Sequence, residues 1–261
     1  MIVDFDRVAI SIFGWDIHWY GLMYVMAFIS AWWLARLQTK RQYQDWKYEQ
    51  IDDLLFYGGL GVILGGRLGY ILFYSFPDFL NNPLIIFRVW EGGMSFHGGL
   101  LGVLVAMVLF NRKYKKGYFN ILDFGAPLIP LGLGFGRIGN FINGELWGKP
   151  TDLPWGMVFP AADKLPRHPN PLYEALLEGL VLFILLWWFS AKPRARMSTI
   201  ALFFIGYGVF RFLIEFVRVP DEHIGYIAWG WLTMGQILTL PLIIAGVVLV
   251  WLVNNNQKKI S

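Results

Sequence analysis

The sequence predicts an all-α polytopic membrane protein, with seven transmembrane helices and an outward-facing head formed by loops. Three observations point there. Hydrophobic residues make up 56% of the chain and charged residues only 15%, with 13 tryptophans, a balance far from that of soluble domains. Uninterrupted apolar runs of about 20 residues recur, and that length spans a bilayer core. Basic residues collect in alternate loops, the pattern of a chain threaded back and forth across a membrane. The absence of cysteine excludes a disulfide or a thiol nucleophile from the chain itself, so any thiol chemistry must use a partner's sulfur. No basic leader with a cleavage site precedes the first apolar run, so no removable signal peptide is expected, and residues 1–261 read as a single integral membrane domain.

Each span has its own justification. The first is expected over about residues 17–37, where an apolar run is followed by Arg36, Lys40, Arg41 and Lys47. The second, about 54–74, carries Gly61, Gly65 and Gly69 four residues apart, a small-residue face that lets another helix come close. An outer loop over 75–93 contains Pro77 and Pro83. The third span, about 94–111, opens with Ser95, His97 and Gly98 and runs into the basic knot Arg112, Lys113, Lys115 and Lys116. The fourth, about 119–138, is interrupted by Pro127 and Pro130, whose freed backbone groups need neighbours or a lined cavity. The stretch 139–171 is too polar to span and holds six of the 13 prolines; a loop that long is usually functional or disordered. Spans five to seven follow at about 172–190, 199–217 and 228–253.

Residues 134–150 stand apart from scaffold. The run Gly-Phe-Gly-Arg-Ile-Gly-Asn-Phe-Ile-Asn-Gly-Glu-Leu-Trp-Gly-Lys-Pro places five glycines, an arginine, two asparagines and a glutamate at one membrane boundary. Fixed charge is expensive there unless paired or functional. Glycine-rich backbone offers N–H groups to an anion, and Arg137 adds a planar fork of donors that matches phosphate. These residues imply a ligand that bears phosphate.

Orientation and depth sharpen that reading. Thirteen basic residues fall in the loops of one face and six in those of the other, so the basic-rich face and the C-terminus are expected in the cytoplasm and the N-terminus outside. At a rise of about 1.5 Å per residue, Arg67, Arg137 and Arg211 then lie in the outer half of outward-running helices. His18, Tyr20, His97, Glu174 and Glu178 lie in the outer half of inward-running ones. Tyr207, Arg211 and Glu215, four residues apart, share a helix face. The convergence predicts a polar cavity in the outer leaflet under the two long loops.

Plainer readings exist for several of these residues. Arg67 has a second reading as an interhelical ion-pair partner, Arg211 with Glu215 as a structural pair, and His97 as a satisfied buried imidazole. Glu174 and Glu178 read as groups binding the fifth helix to a neighbour, and His168 and His223 as ordinary outer-surface residues. Gly134, Gly136 and Gly139 fit the spacing of a dinucleotide fingerprint, but an apolar, proline-broken helix precedes them where a strand is needed. The four histidines show no metal-ligand spacing, so no metal is implied. A transporter or flippase for an anionic lipid is the rival class, although such proteins commonly show paired broken helices and a midplane site.

The chain resembles the bacterial prolipoprotein diacylglyceryl transferase family. Its signature G-R-x-G-N-F-x-N-x-E stands here at 136–145, and further matching stretches are His-Trp-Tyr-Gly at 18–21, Gly-Gly-Arg-Leu-Gly-Tyr at 65–70, Gly-Gly-Met-Ser-Phe-His-Gly-Gly at 92–99, Arg-His-Pro-Asn-Pro-Leu-Tyr-Glu at 167–174, and Tyr-Gly-Val-Phe-Arg-Phe-Leu-Ile-Glu-Phe-Val-Arg at 207–218. The resemblance covers nearly the whole chain and implies seven helices in the inner membrane with a site facing the outer leaflet. It implies transfer of diacylglyceryl from phosphatidylglycerol to the lipobox cysteine of a prolipoprotein signal peptide, with release of glycerol 1-phosphate. The partners are then these two substrates and membrane lipids, with no nucleic acid and no cofactor. The residues implied in catalysis are His97, for thiol activation or the lipid headgroup, with Arg137 and Arg211 on the phosphate; those implied in substrate binding are Tyr20, Arg67, Asn140, Asn143, Glu145, Gly148, Tyr207 and Glu215.

Overall fold

A computed structural model describes residues 1–41, 45–220 and 225–258, with backbone alone for 91 and 256–258. His223 and Lys259 lie outside the described residues. In chain order the elements are the strands β1 (Val8–Ile12) and β2 (Trp15–His18), then helices α1 (Trp19–Thr39), α2 (Tyr48–Tyr74), α3 (Phe76–Asn81), α4 (Phe96–Tyr114), α5 (Tyr118–Ile142), the strands β3 (Met157–Val158) and β4 (Pro166–Arg167), α6 (Asn170–Phe189), α7 (Ser198–Ile214), the strands β5 (Tyr226–Ala228) and β6 (Leu232–Thr233), and α8 (Met234–Lys258). Among the described residues five helices, α1, α2, α5, α6 and α8, are long and apolar enough to cross a membrane. Their outward faces carry large side chains such as Trp33, Phe73, Trp188 and Trp251, which suit hydrocarbon as solvent rather than water. This is a multi-pass membrane protein. Of the two remaining expected spans, α4 carries His97 in its first turn and Arg112 and Lys113 in its last, and α7 is 17 residues long.

The chain forms two compact units, Arg36–Ile121 and Met1–Ala35 with Leu122–Ser261. In the first, α2 lies against α4 along a seam of glycines. A Cβ built on Gly61 would stand 2.7 Å from the Gly102 carbonyl oxygen, and one on Gly69 would stand 2.7 Å from Gly98 Cα. Gly65 would drive a Cβ into the Gly98 carbonyl. The two backbones therefore touch, the approach that the four-residue spacing in α2 predicts. At the other end Asp53 binds Lys113 and accepts from the Tyr114 hydroxyl at 2.5 Å, Arg36 meets Asp52 at 2.9 Å, and Phe110 is buried under Trp46 and Tyr57.

In the second unit, Ala126, Leu182, Leu186, Ile200 and Phe203 form a buried core joining α5, α6 and α7. Asp123 of α5 accepts from the backbone N–H groups of Met197 (2.6 Å) and Ile200 (2.9 Å), which satisfies orphan donors at the start of α7.

Several boundaries differ from the sequence expectation for identifiable reasons. α2 starts at Tyr48 because the Gln50 side chain accepts from Lys47 N at 3.0 Å, so polar turns extend the helix ahead of its apolar run. The expected loop at 75–93 is mostly coiled into α3 and two 3₁₀ turns, Pro83–Phe87 and Val89–Glu91, with proline near the start of α3 and of the first turn. The last helix begins at Met234 rather than near 228, because Trp229 and Gly230 both adopt positive φ and close the β5–β6 hairpin. The β1–β2 hairpin turns in the same way on Phe13 and Gly14 and was not foreseen.

Gly65→Ala should destabilise the α2–α4 pair by about 1–3 kcal/mol through overpacking. Gly58→Ala on the same helix, whose Cβ meets only Met107 at 4.0 Å, should be neutral or stabilising by about 0.5–1 kcal/mol. Unfolding midpoints in detergent micelles compare the two.

Candidate functional site

Five charges from three helices and the segment after them form an alternating chain. Arg137 Nε of α5 stands 3.0 Å from Glu174 Oε2 of α6, an ionic contact without the alignment of a hydrogen bond. Glu174 Oε1 accepts from Arg211 Nη1 of α7 and from Asn170 Nδ2 at 3.0 Å. Arg211 Nη2 then lies 3.0 Å from Glu215 Oε2, which Arg218 Nη1 approaches at 3.7 Å, while Glu215 Oε1 accepts from Thr233 Oγ1 at 3.0 Å. Glu174, Arg211 and Glu215 are buried. Arg137 is not: its side chain keeps 23% of its surface, and its two terminal nitrogens donate to no described residue. An arginine anchored through Nε with its fork open is ready to bind an anion through two donors.

Local sequence builds this geometry. Gly134 of α5 and Gly179 of α6 face each other so closely that a Cβ on Gly179 would stand 2.8 Å from Gly134 Cα. That contact brings Arg137, one turn beyond Gly134, to the side of α6 that bears Glu174. The backbone of α6 passes through a π-helical segment, Ala175–Val181, just after Glu174; such segments are frequent at functional sites.

The signature residues close on themselves at the end of α5. Glu145 Oε1 accepts from Asn140 Nδ2 at 2.8 Å and from Asn143 Nδ2 at 3.3 Å, and Glu145 N donates to the Asn140 carbonyl at 3.1 Å. Tyr20 packs its ring where a Cβ on Gly139 would fall, 2.8 Å from Cδ2, and its hydroxyl meets that of Tyr24 at 3.4 Å. Tyr207 stacks on Phe203, one turn before Arg211. Gly148 is a backbone crossing: its N–H donates to the His168 carbonyl (2.9 Å), the next N–H donates to the Val217 carbonyl (2.8 Å), and a Cβ there would stand 2.6 Å from His168 Cβ.

Nearby, Arg167 holds Asp163 with two hydrogen bonds, 3.1 Å from Nε and 2.5 Å from Nη2, and this pairing keeps the Asp163 carboxyl below its usual range. His168 Nδ1 lies 3.2 Å from the Tyr173 hydroxyl, which also accepts from Trp155 Nε1 at 2.8 Å.

Arg67 and His97 belong to the other unit. Arg67 is neither an ion-pair partner nor an open fork: it donates to the carbonyls of Gly92 (2.5 Å), Gly93 (3.2 Å) and Ile85, tying down the segment before α4. His97 is an exposed imidazole in the first turn of α4, not the buried one of the plainer reading, with its ring against Phe96.

Sequence reasoning placed Glu174 among the polar groups of the outer half, with a plainer reading as a tie between helices, and missed that it is the carboxylate shared by Arg137 and Arg211. Its signal was a carboxylate inside an otherwise apolar helix, four residues ahead of a second one at Glu178. Asn170, fully buried and bonded to Glu174, carried no signal beyond its place in the stretch 167–174.

The prolipoprotein diacylglyceryl transferase family matches residues 7–252. The chain belongs to that family. A relative from Oleidesulfovibrio alaskensis is 58% identical over 255 residues, 98% of this chain and 96% of the relative, and carries the name phosphatidylglycerol–prolipoprotein diacylglyceryl transferase. Relatives of the same name from Pseudomonas putida and Methylococcus capsulatus are 54% and 57% identical, covering 97% and 94% of this chain and 95% and 94% of the relatives.

Two expectations follow from this geometry. Glu174→Gln removes the anion shared by two guanidiniums, and breaking such a buried pair costs about 3–5 kcal/mol; detergent unfolding of the variant measures it, and a loss under about 1 kcal/mol, the worth of an exposed pair, would show that the arginines are held by something else. His168 is pushed below its ordinary value of 6.5, first by burial and then by Lys149. The folded loop thus refuses a proton that the unfolded chain takes up, so its stability is complete above about pH 6.5 and is lost as pH falls through the folded value. A His168 NMR titration midpoint at or above 6.5 would contradict this.

Proposed function

We infer that this chain transfers the diacylglyceryl group of phosphatidylglycerol to prolipoproteins, with the lipobox cysteine as acceptor, a thioether as product and glycerol 1-phosphate as leaving group. Family membership over nearly the full chain supports the transfer. The observation that carries its chemistry is the pair of arginines, Arg137 and Arg211, joined through Glu174, with the Arg137 fork left open. Substitution at the glyceryl carbon builds negative charge on the departing phosphate. Donors fixed in advance at that oxygen lower the barrier, because they need no reorganisation as charge develops. Arg137 binds the phosphate directly in this reading, and Arg211 holds Glu174 in place and adds its own field.

The remaining roles are proposals of the same kind. Asn140, Asn143 and Glu145 shape the end of α5 around Arg137, Tyr20 supports that turn from α1, and Tyr207 and Glu215 position Arg211. Gly148 lets the loop cross close to His168. His97 activates the thiol or hydrogen-bonds the lipid headgroup, and Arg67, whose terminal nitrogens donate to carbonyls, shapes the segment leading to His97. We further propose a single integral membrane domain with seven crossings, α4 and α7 included, placed in the bacterial inner membrane. The N-terminus and the loop-built head then face outward and the C-terminus the cytoplasm, as the loop charges require.

Purified chain incubated with phosphatidylglycerol and a lipobox peptide should add one diacylglyceryl mass to the peptide cysteine. A transporter of anionic lipid would leave the peptide unchanged. Arg137→Ala should lower the rate by about 10²–10³-fold, the cost of losing one such donor; wild-type transfer in that variant would remove Arg137 from the phosphate.

A further inference from the structure

Four carboxylates besides Glu178 could be asked to serve the arginine chain or the end of α5, and three of them are engaged near it. Glu174 lies between Arg137 and Arg211, Glu215 lies between Arg211 and Arg218 with Thr233, and Glu145 accepts from Asn140 and Asn143. The fourth, Asp163, is tied to Arg167 in the outer loop. Glu178 is unlike all of these. It is fully buried, and neither oxygen accepts a hydrogen bond from any described residue. An orphaned group of this kind costs about 1–3 kcal/mol, and more when charged, so its presence asks for a functional reason.

Its surroundings are specific. Glu178 sits in the π-helical segment of α6, beside the Gly179–Gly134 contact and four residues after Glu174. The groups whose charge reaches it come from each element packed there: Glu174 on its own helix, Arg137 on α5, Tyr207 and Arg211 on α7, and Arg218 beyond α7.

The transfer reaction, on the reading given above, releases a thiol proton, for which His97 is the candidate that the family resemblance implies and Glu178 is a second one that the structure offers. The thiol sulfur forms a bond to the glyceryl carbon, and the carbon–oxygen bond breaks with its electron pair going to the phosphate oxygen. A phosphodiester monoanion thereby becomes a phosphomonoester dianion, and the S–H proton must go elsewhere. We propose that the Glu178 carboxylate accepts the thiol proton. With Glu178 ionised, the form that can accept a proton, three guanidiniums, Arg137, Arg211 and Arg218, stand against three carboxylates, Glu174, Glu215 and Glu178, and the group of six carries no net charge. Protonation of Glu178 leaves it with one positive charge at the step in which the leaving phosphate gains one negative charge. Proton transfer and leaving-group stabilisation are then one electrostatic event. Glu174 and Glu215 would have to give up an arginine to do the same, whereas Glu178 gives up nothing. The proton returns to solvent after the phosphomonoester departs.

The test uses the purified full chain, phosphatidylglycerol, and two lipobox peptides that differ only in cysteine or selenocysteine, whose selenol is already ionised at neutral pH. Glu178→Gln should lower transfer to the cysteine peptide by about 10²–10⁴-fold, the usual worth of a general base, while phosphatidylglycerol binding is kept and the selenocysteine peptide recovers most of the rate. Raising pH through the free thiol value of about 8.5 should speed the Gln variant on cysteine. Equal losses on both peptides, with lipid binding intact, would overturn the assignment, as would a Gln variant that matches the wild type on cysteine. If Glu178→Gln loses lipid binding, Glu178→Asp decides by whether its loss is confined to the cysteine peptide. Wild-type chain that modifies neither peptide would instead remove the transferase reading itself.

Discussion

One carboxylate, Glu174, sets the arrangement of the second unit. It is buried on an apolar helix, where a lone ionised group would be prohibitive, and it is tolerated because Arg137 and Arg211 approach it from two other helices and Asn170 fills a remaining acceptor position. The dependence runs both ways. Each arginine is admitted to an apolar helix because the carboxylate is there, so α5, α6 and α7 are locked into one mutual register by electrostatics as well as by the apolar core around Leu182 and Phe203. The fork of Arg137 is what this arrangement leaves unengaged among the described residues.

Close backbone approach is the second constraint, and it appears once in each unit. Hydrocarbon outside the protein gives no hydrophobic drive to bring helices together, so association depends on contact and hydrogen bonding. Gly61, Gly65 and Gly69 supply that contact against Gly98 and Gly102, and Gly134 supplies it against Gly179. In the second case the packing device also has chemical value, since it fixes how far Arg137 must reach to meet Glu174. A side chain larger than hydrogen at either glycine would part the helices and lengthen that ion pair.

The bilayer also accounts for the outer surface. Large apolar side chains on α1, α2, α6 and α8 face outward, which in water would drive aggregation and in lipid is the expected solvation. Polar groups are turned inward or toward the ends, and the buried ones are held by one another. Among the described residues Glu178 stands apart, a buried carboxyl group with neither oxygen hydrogen-bonded.

Composition and the length of apolar runs determined that the chain is a multi-pass helical membrane protein, because bilayer thickness fixes span length whatever the packing. The order and spacing of the short motifs determined the family. Local sequence also determined the α2 glycine face and the Arg211–Glu215 pair, since both depend on three- and four-residue spacing along a single helix. Tertiary structure decided the rest. Nothing in the sequence says that Glu174 rather than Glu215 or Glu145 joins Arg137 to Arg211, that Arg67 spends its donors on carbonyls, or that Trp229 and Gly230 end a hairpin instead of beginning a helix. Those outcomes depend on which groups meet across helices far apart in the chain, and a buried charge is satisfied by whichever partner the packing delivers.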